Sequence, residues 1–188
     1  QDPFSMAENR QYSKPKFQPV MQDATGKLPP RDTEMEEVVL GALMLEKDAY
    51  MNVADILTAD AFYDPVNAMI YEAISTLGLN QRPIDMMSVK EQLRRDGNLE
   101  KAGGAVHITE LTARVLSAAN VEYHAKIVAQ KFLARRLISF ASKIETEAFD
   151  ESNDVDDLLQ EAEGELFNIS QTHLKREVTQ IDPVLNLA

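Results

Sequence analysis

The residues of this sequence that could do chemistry include three histidines, two of which lie close to glutamates. His107 lies three residues before Glu110, and Glu122 lies two residues before His124. Di-iron bundles use Glu-x-x-His pairs with further inward glutamates, and zinc proteases use H-E-x-x-H on one helix. Because neither pattern occurs, we expect His107, His124 and His173 to be surface or helix-end imidazoles. The alternative, a helical-bundle enzyme with a carboxylate metal site, requires metal that stays bound through purification.

The glycines and serines also lack the patterns that bind phosphate or activate a nucleophile. Gly103-Gly104 is an isolated pair, and neither G-x-x-x-x-G-K-[ST] nor G-x-G-x-x-G occurs. We expect the pair to form a turn that needs positive φ. No serine lies in a G-x-S-x-G elbow, and the acidic run from Asp150 to Glu165 is typical of a solvated helix face. We therefore predict no catalytic, cofactor-binding or metal-binding residue in the chain.

The composition is typical of a soluble globular protein with a strong negative charge. Apolar residues make up 44% of the 188 residues, cysteine is absent and the formal net charge is −12. The missing cysteines exclude disulfides and fit a reducing compartment, and no apolar run is long enough to span a membrane. The charge argues against nucleic-acid binding by this chain alone. Two local basic patches, Arg94-Arg95 and Lys131 with Arg135-Arg136, are more typical of solvated faces than of DNA contacts.

The elements that carry these residues begin with a globular helical head, predicted over residues 32–116. A capping box, Thr33-x-x-Glu36, opens the first helix, and a second short helix covers about 49–57. A third helix opens at Asp64-Pro65, and Gly78 is expected to close it in the left-handed conformation.

The rest of the predicted head contains two more helical segments. A second capping box, Ser88-x-x-Glu91, begins a helix that ends at Gly97, and a further segment covers 107–116. Strand patterns are not persuasive anywhere, so the predicted fold class is all-α.

A long antiparallel helical hairpin is predicted over residues 117–171. Residues 118–149 contain no glycine or proline, which indicates one helix well beyond the common globular length. Residues 150–154 form a polar turn, and apolar residues recur at helical spacing over 155–169. We expect the first half of the long helix to pack on the head and the second half on the return helix.

A third line of apolar residues on the long helix falls on neither of its two predicted buried faces. Ile127, Ile138 and Phe149 are spaced by eleven residues, a period that runs almost straight along a helix. We interpret this line as a partner interface. The alternative is that the head or the hairpin buries all three side chains within one chain.

The two ends of the chain differ in character from the ordered part. Residues 1–5 precede Met6 and resemble a vector-derived remnant, and the polar stretch up to Arg31 predicts a disordered arm, so residues 1–31 form the first segment. Residues 172–188 are predicted to be a linker. Within it, Asp182-Pro183 begins a helix whose apolar face is Val184, Leu185 and Leu187. We expect this linker helix to continue in the natural protein.

Several short stretches resemble the N-terminal domain of the bacterial replicative DNA helicase, the DnaB family. The stretches, in order along the chain, are Leu28-Pro-Pro-Arg-Asp-Thr-Glu-Met-Glu36, Val39-Leu-Gly-Ala-Leu-Met-Leu45, Asp60-Ala-Phe-Tyr63, Pro83-Ile-Asp85, Gly103-Gly104, Ser117-Ala-Ala-Asn120, Tyr123-His-Ala-Lys-Ile-Val128 and Ile181-Asp-Pro-Val-Leu185.

This resemblance implies a head-plus-hairpin domain whose hairpins pair between subunits and build the collar of a hexameric ring. It also implies docking of the primase C-terminal domain, with a helicase loader as a further candidate partner, in the bacterial cytoplasm. The parent enzyme would use ATP and Mg²⁺ to translocate on DNA, while this fragment, which lacks the ATPase domain, should hydrolyse nothing and bind DNA weakly or not at all. A free-standing helical adaptor unconnected with DNA is the alternative that composition alone permits.

Overall fold

A computed structural model describes residues 26–115 and 117–178, with side chains described up to residue 172. Seven α-helices and one 3₁₀ turn are the regular elements in these ranges, which confirms the predicted all-α class. They are α1 (Thr33–Leu45), α2 (Ala49–Val53), the 3₁₀ turn (Ala59–Ala61), α3 (Pro65–Leu79), α4 (Met86–Arg95), α5 (Gly104–Ala113), α6 (Val121–Ala148) and α7 (Val155–Val178). The arm before residue 26 and the linker-helix residues lie outside the described ranges.

The head consists of α1 to α5 around the first half of α6. Helix α1 lies at its centre, where Val39, Leu40 and Leu43 are fully buried, and it packs against both α5 and α6. Gly41 makes the α1–α5 contact close, because a Cβ there would overlap the Leu111 carbonyl oxygen and the Val115 side chain. The head thus has one continuous core to which α6 belongs.

The first half of α6 packs on the head as predicted. Val121, Ala125 and Val128 are buried in the head core, and Phe132 packs partly buried against it. The helix then continues beyond the head and packs on α7. Lys143 bonds to Glu161 and Glu165, so the C-terminal end of α6 lies beside the N-terminal half of α7. Helices α6 and α7 therefore run antiparallel as a hairpin.

The two helices that were predicted to open with capping boxes begin with aspartate caps instead, so both predicted capping boxes were wrong. The Asp32 side chain accepts a 3.0 Å hydrogen bond from the Met35 N–H at the start of α1. At α4, Asp85 accepts a 2.8 Å bond from the Ser88 N–H, so the helix begins before Ser88. An aspartate carboxylate accepts a hydrogen bond from a free N–H at a helix start. In both helices the aspartate precedes the Thr33 or Ser88 hydroxyl that was predicted as the cap. The Asp64-Pro65 start of α3 is confirmed.

Several other predicted helix bounds also differ from the structure. Gly78 lies inside α3, where the Tyr50 ring occupies the space that a Cβ would need, and the left-handed residue that follows α3 is Gln81, at φ 54°. Helix α2 ends at Val53, short of 57, and α7 continues to Val178, beyond 171. Helix α5 covers Gly104–Ala113 and not 107–116, because it begins directly after the left-handed Gly103.

The predicted turn at Gly103-Gly104 is confirmed, because both residues have positive φ. In the ranges that the structure describes, no helix combines the length and the apolar character that crossing a bilayer requires.

Candidate interaction surface

The hairpin exposes many large apolar side chains, which mark it as the candidate functional surface. Seven of them, on the second half of α6, at its C-terminus and on α7, are exposed: Leu137, Ile138, Phe149, Val155, Leu159, Leu166 and Phe167. Scattered single apolar residues are normal on a protein surface, but a cluster of large ones on one projecting element is typical of an interaction site.

The two faces of α7 show why these side chains remain uncovered. Leu158 and Ala162 are half-buried against α6, and Ile169 on the same line is 4% exposed. Leu159 and Leu166 are two turns apart on a neighbouring face, and both are exposed. A two-helix hairpin has only one inner seam, so a second apolar face on either helix has nothing to cover it within the hairpin.

The predicted partner line on α6 shows a graded exposure along the hairpin. Ile127 is half-buried beside the head, Ile138 is 41% exposed on the middle of the helix, and Phe149, the residue that caps α6, is 81% exposed. The three side chains are therefore not buried together within the chain, so the burial alternative does not account for them. Their role as a partner interface stays a prediction.

The predicted linker-helix residues, Val184, Leu185 and Leu187, lie outside the described residues. Their role also stays a prediction.

The hairpin surface combines this apolar character with negative charge. Acidic residues that follow α6 or lie on α7 include Asp150, Glu151, Asp154, Asp156, Asp157, Glu161, Glu163 and Glu165. Lys143 on α6 bridges two of them, with its Nζ 2.7 Å from Glu161 Oε1 and 3.1 Å from Glu165 Oε2. Both carboxylates raise the pKa of Lys143 above its ordinary value. Because both sides of the bridge are exposed, it contributes little to the stability of the fold.

Arginines of both basic patches considered for DNA contact are engaged within the chain. Arg94 and Arg95 each pair with Glu91 one turn earlier on α4. Arg135 donates hydrogen bonds to the Pro30 and Ala61 carbonyl oxygens and is therefore held at the base of the hairpin. These contacts favour a structural role for the three arginines.

A buried carboxylate at Glu36 is the most important polar feature that the sequence analysis missed. It is 1% exposed and accepts hydrogen bonds from the N–H groups of Tyr63 and Asp64. Burial raises its pKa above the ordinary value, although these hydrogen bonds oppose the shift. The available signal was its position, because Glu36 precedes Val39 and Leu43 by three and seven residues on one face of α1.

The histidines and carboxylates do not converge on a metal centre in the part of the chain that the structure describes. No group of three or more His, Asp or Glu residues there could hold a metal ion.

Comparisons with known proteins give this architecture a family. Residues 28–130 match the family described as DnaB-like helicase N terminal domain. The replicative DNA helicase DnaB of Rhodothermus marinus is 42% identical over 160 residues, which are 85% of this chain and 17% of that protein. The replicative DNA helicase DnaC of Bacillus subtilis (strain 168) is 37% identical over 145 residues, which are 77% of this chain and 32% of that protein.

Two solved structures share the fold. The N-terminal domain of DnaB helicase from Mycobacterium tuberculosis superposes with a TM-score of 0.70 at 35% identity, over 74% of this chain and 99% of that one. A DnaB-like replicative helicase, described together with its interactions with primase, superposes with a TM-score of 0.62 at 27% identity, over 73% of this chain and 31% of that one.

The chain spans 17% and 32% of the two helicases named above, so it corresponds to one part of them. The match covers the head and the beginning of α6. On this evidence the chain belongs to the DnaB-like helicase N-terminal domain family.

Proposed function

We propose that this chain is the N-terminal domain of a hexameric, ATP-dependent replicative DNA helicase, and that it serves ring assembly and primase docking. The observation that carries the assembly role is the uncovered apolar surface of the hairpin, with Ile138 and Phe149 on α6 and Leu159 and Leu166 on α7. Covering such side chains with a second hairpin removes apolar area from water, which is the main driving force of association. Family membership supports the same assignment.

A symmetric pairing of hairpins is the simplest contact that covers this surface. Most homo-oligomers close through two-fold interfaces in which the same patch occurs on both sides. In a fragment without the ATPase domain, a dimer is the expected species, because much of what holds a ring together is absent. The full ring is then a property of the parent protein.

Primase docking is the second part of the proposal. It is supported by the structural neighbour whose description includes interactions with primase. The Ile127, Ile138 and Phe149 line is partly uncovered and is the predicted partner interface, either for hairpin pairing or for the primase C-terminal domain. A helicase loader is a further candidate partner.

The catalytic work belongs to the parent protein in this proposal. The related helicases extend far beyond the aligned region. We propose that the parent uses ATP and Mg²⁺ through an ATPase domain, with DNA as its substrate. The pure fragment should show no ATP turnover, and sustained hydrolysis that survives controls for contaminants would contradict the assignment.

Cysteine cross-linking tests the assembly role directly. Because the sequence contains no cysteine, Ile138→Cys and Phe149→Cys each introduce a single thiol on the hairpin. We expect a flexible bismaleimide to link two copies through either position. Met51→Cys is the control, because Met51 is an exposed apolar residue on α2 of the head, 74% exposed against 41% for Ile138 and 81% for Phe149. Equal cross-linking at all three positions would indicate random collision.

Calorimetric titration tests the docking role. The C-terminal domain of the same organism's primase should bind the chain saturably, and Ile138→Asp should weaken binding, because it places a charge in an apolar contact. Met51→Asp should bind like the unmodified chain. Binding that Ile138→Asp leaves unchanged would place the primase contact elsewhere, and no binding at all would argue against docking on the isolated domain.

The adaptor alternative is not favoured, because the chain belongs to a helicase-domain family.

A further inference from the structure

The direction of the hairpin is decided where α6 leaves the head. Near its start α6 buries Val121, Ala125 and Val128 in the head core, whereas Leu137 and Ile138 are exposed and the helix then pairs with α7. A continuous helix transmits any rotation at its base along its whole length, so a small change there moves the hairpin tip by several ångströms. The contacts around residues 132–136 therefore determine how the hairpin surface is presented.

Arg135 lies at this exit point and joins three segments of the chain. Its Nη1 donates a 2.8 Å hydrogen bond to the carbonyl oxygen of Pro30, which precedes α1. Its Nη2 donates a 2.6 Å hydrogen bond to the carbonyl oxygen of Ala61 in the 3₁₀ turn. The planar guanidinium fixes both bonds in one plane, which a lysine ammonium could not do.

Aromatic rings hold the same guanidinium on other sides. The Arg135 carbon Cζ lies 5.6 Å from the centroids of the Tyr63 and Phe132 rings. Arg31 also lies over the Tyr63 ring at 5.2 Å, and it donates a hydrogen bond to the Tyr63 hydroxyl. These contacts make Tyr63 a shared platform for one arginine from the segment before α1 and one from α6.

Glu36 supports this platform from inside the head. Its carboxylate accepts hydrogen bonds from the Tyr63 N–H at 2.6 Å, the Asp64 N–H at 3.2 Å and the Asn67 side-chain amide at 3.0 Å. These bonds fix the loop between the 3₁₀ turn and α3, on which Tyr63 lies. The charge of Glu36 also attracts Arg135, the group at the hairpin base.

We propose that Arg135 and Glu36 are positioning residues that lock the hairpin at one angle to the head. This inference rests on the proposed function, because the locked angle presents the exposed hairpin surface for pairing with a second copy. The hydrophobic contacts of Val121, Ala125 and Val128 attach α6 to the head but lack direction. The paired hydrogen bonds of Arg135 provide the directional part of the attachment.

Distance measurement between two spin labels tests the lock without relying on assembly. Met51→Cys on the head and Glu151→Cys beyond the end of α6 are both exposed and introduce the only two thiols. Labelled chain is diluted into excess unlabelled chain so that each distance is measured within one copy. The unmodified junction should give one narrow distribution, and Arg135→Met should give one roughly twofold wider, as expected for a freed hinge.

Arg136→Met is the matched control. Arg136 is the next residue on α6, is also half-buried and also lies over the Phe132 ring, at 5.9 Å. The Arg136→Met substitution should leave the distance distribution narrow, and circular dichroism should show the same helix content for both variants. If Arg135→Met does not fold, Arg135→Lys replaces it in the test, because lysine keeps the charge but cannot make both planar hydrogen bonds to the Pro30 and Ala61 carbonyl oxygens. A distribution that the folded Arg135 variant leaves unchanged would overturn the proposal.

Sedimentation of the unlabelled variants then links the lock to assembly. Arg135→Met should raise the dimer dissociation constant roughly tenfold, since a mobile hairpin must be ordered again on pairing. A wider distance distribution with unchanged dimerisation would show that Arg135 restricts a hinge, but it would contradict the proposal that the locked angle presents the hairpin for pairing. If the unmodified chain does not self-associate, the proposed assembly function fails, and the distance result still stands by itself.

Discussion

The Glu36 carboxylate accepts a 3.0 Å hydrogen bond from the Asn67 side-chain amide, and both residues are buried inside the head. Asn67 lies in the first turn of α3, and Glu36 lies in the first turn of α1. A buried charge is tolerated only where several donors surround it, and here two backbone N–H groups complete the set. This arrangement ties the start of α3 to α1.

Replacing Glu36 should destabilise the head strongly. Glu36→Ala leaves one buried and two partly buried donors without an acceptor, so we expect the free energy of unfolding to fall by roughly 3 kcal/mol. Glu37→Ala is the control, because Glu37 pairs only with the exposed Arg114 and should cost less than about 1 kcal/mol. Urea unfolding measures both changes. Equal losses for the two variants would contradict the special role of Glu36.

The stability that Glu36 contributes should depend on pH in a stated direction. Burial raises its pKa in the folded chain above the ordinary value of 4.5. Between the pKa of Glu36 in the unfolded chain and its higher pKa in the folded chain, the folded state binds more protons than the unfolded state. The stability that Glu36 contributes is therefore fully present below pH 4.5 and is lost as pH rises through the folded pKa.

Urea unfolding of the unmodified chain and Glu36→Gln, from acid to neutral pH, checks this dependence. The advantage of the unmodified chain should shrink as pH rises, because the amide does not titrate. An advantage that grows with pH would contradict the sign.

The start of α4 should depend on Asp85 more than on Ser88. Asp85→Ala removes the acceptor of the Ser88 N–H and should cost about 1 kcal/mol, whereas Ser88→Ala should cost less. The Ser88 N–H also lowers the pKa of Asp85 below 3.8, so the cap contribution is present above that pH and is lost as pH falls through the folded pKa. Thermal unfolding compares the variants, and a larger loss for Ser88→Ala would restore the capping-box interpretation.

Two glycine substitutions in helices should have opposite effects. Gly41→Ala forces its new methyl group into the Leu111 carbonyl oxygen and should destabilise the head by roughly 1–3 kcal/mol. Gly164→Ala meets nothing within 4 Å and should stabilise α7 by up to about 1 kcal/mol, the difference in helix propensity. Thermal unfolding of both variants measures the two changes in stability. A tolerated Gly41→Ala would contradict the close α1–α5 contact.

The sequence could predict the elements whose signals are local. The Asp64-Pro65 start of α3 and the long α6 depend on residues within a few turns of each other, and the structure has both. The predicted end of α3 was wrong because Tyr50, far away in the sequence, packs on Gly78. A close contact of this kind uses glycine for its lack of a Cβ rather than for its backbone freedom.

The junction at the hairpin base could not be predicted from the sequence. Arg135 bonds to carbonyl oxygens that lie 105 and 74 residues earlier in the chain, and a backbone carbonyl leaves no signature in a side-chain pattern. From the sequence alone, Arg135 could be identified only as part of a basic patch. The line of Ile127, Ile138 and Phe149 could be identified from the sequence, because periodicity along one helix separates the faces that pack within the chain from those that do not.

Sedimentation equilibrium of the chain, with Ile138→Asp and Met51→Asp as a matched pair, tests most directly whether the hairpin is an assembly surface. Both substitutions place a carboxylate at an exposed apolar position, one on the hairpin and one on the head. We expect concentration-dependent dimers for the unmodified chain and for Met51→Asp, and a monomer for Ile138→Asp, because pairing would bury an uncompensated charge. An unmodified chain that stays monomeric, or an Ile138→Asp variant that dimerises equally well, would contradict the account.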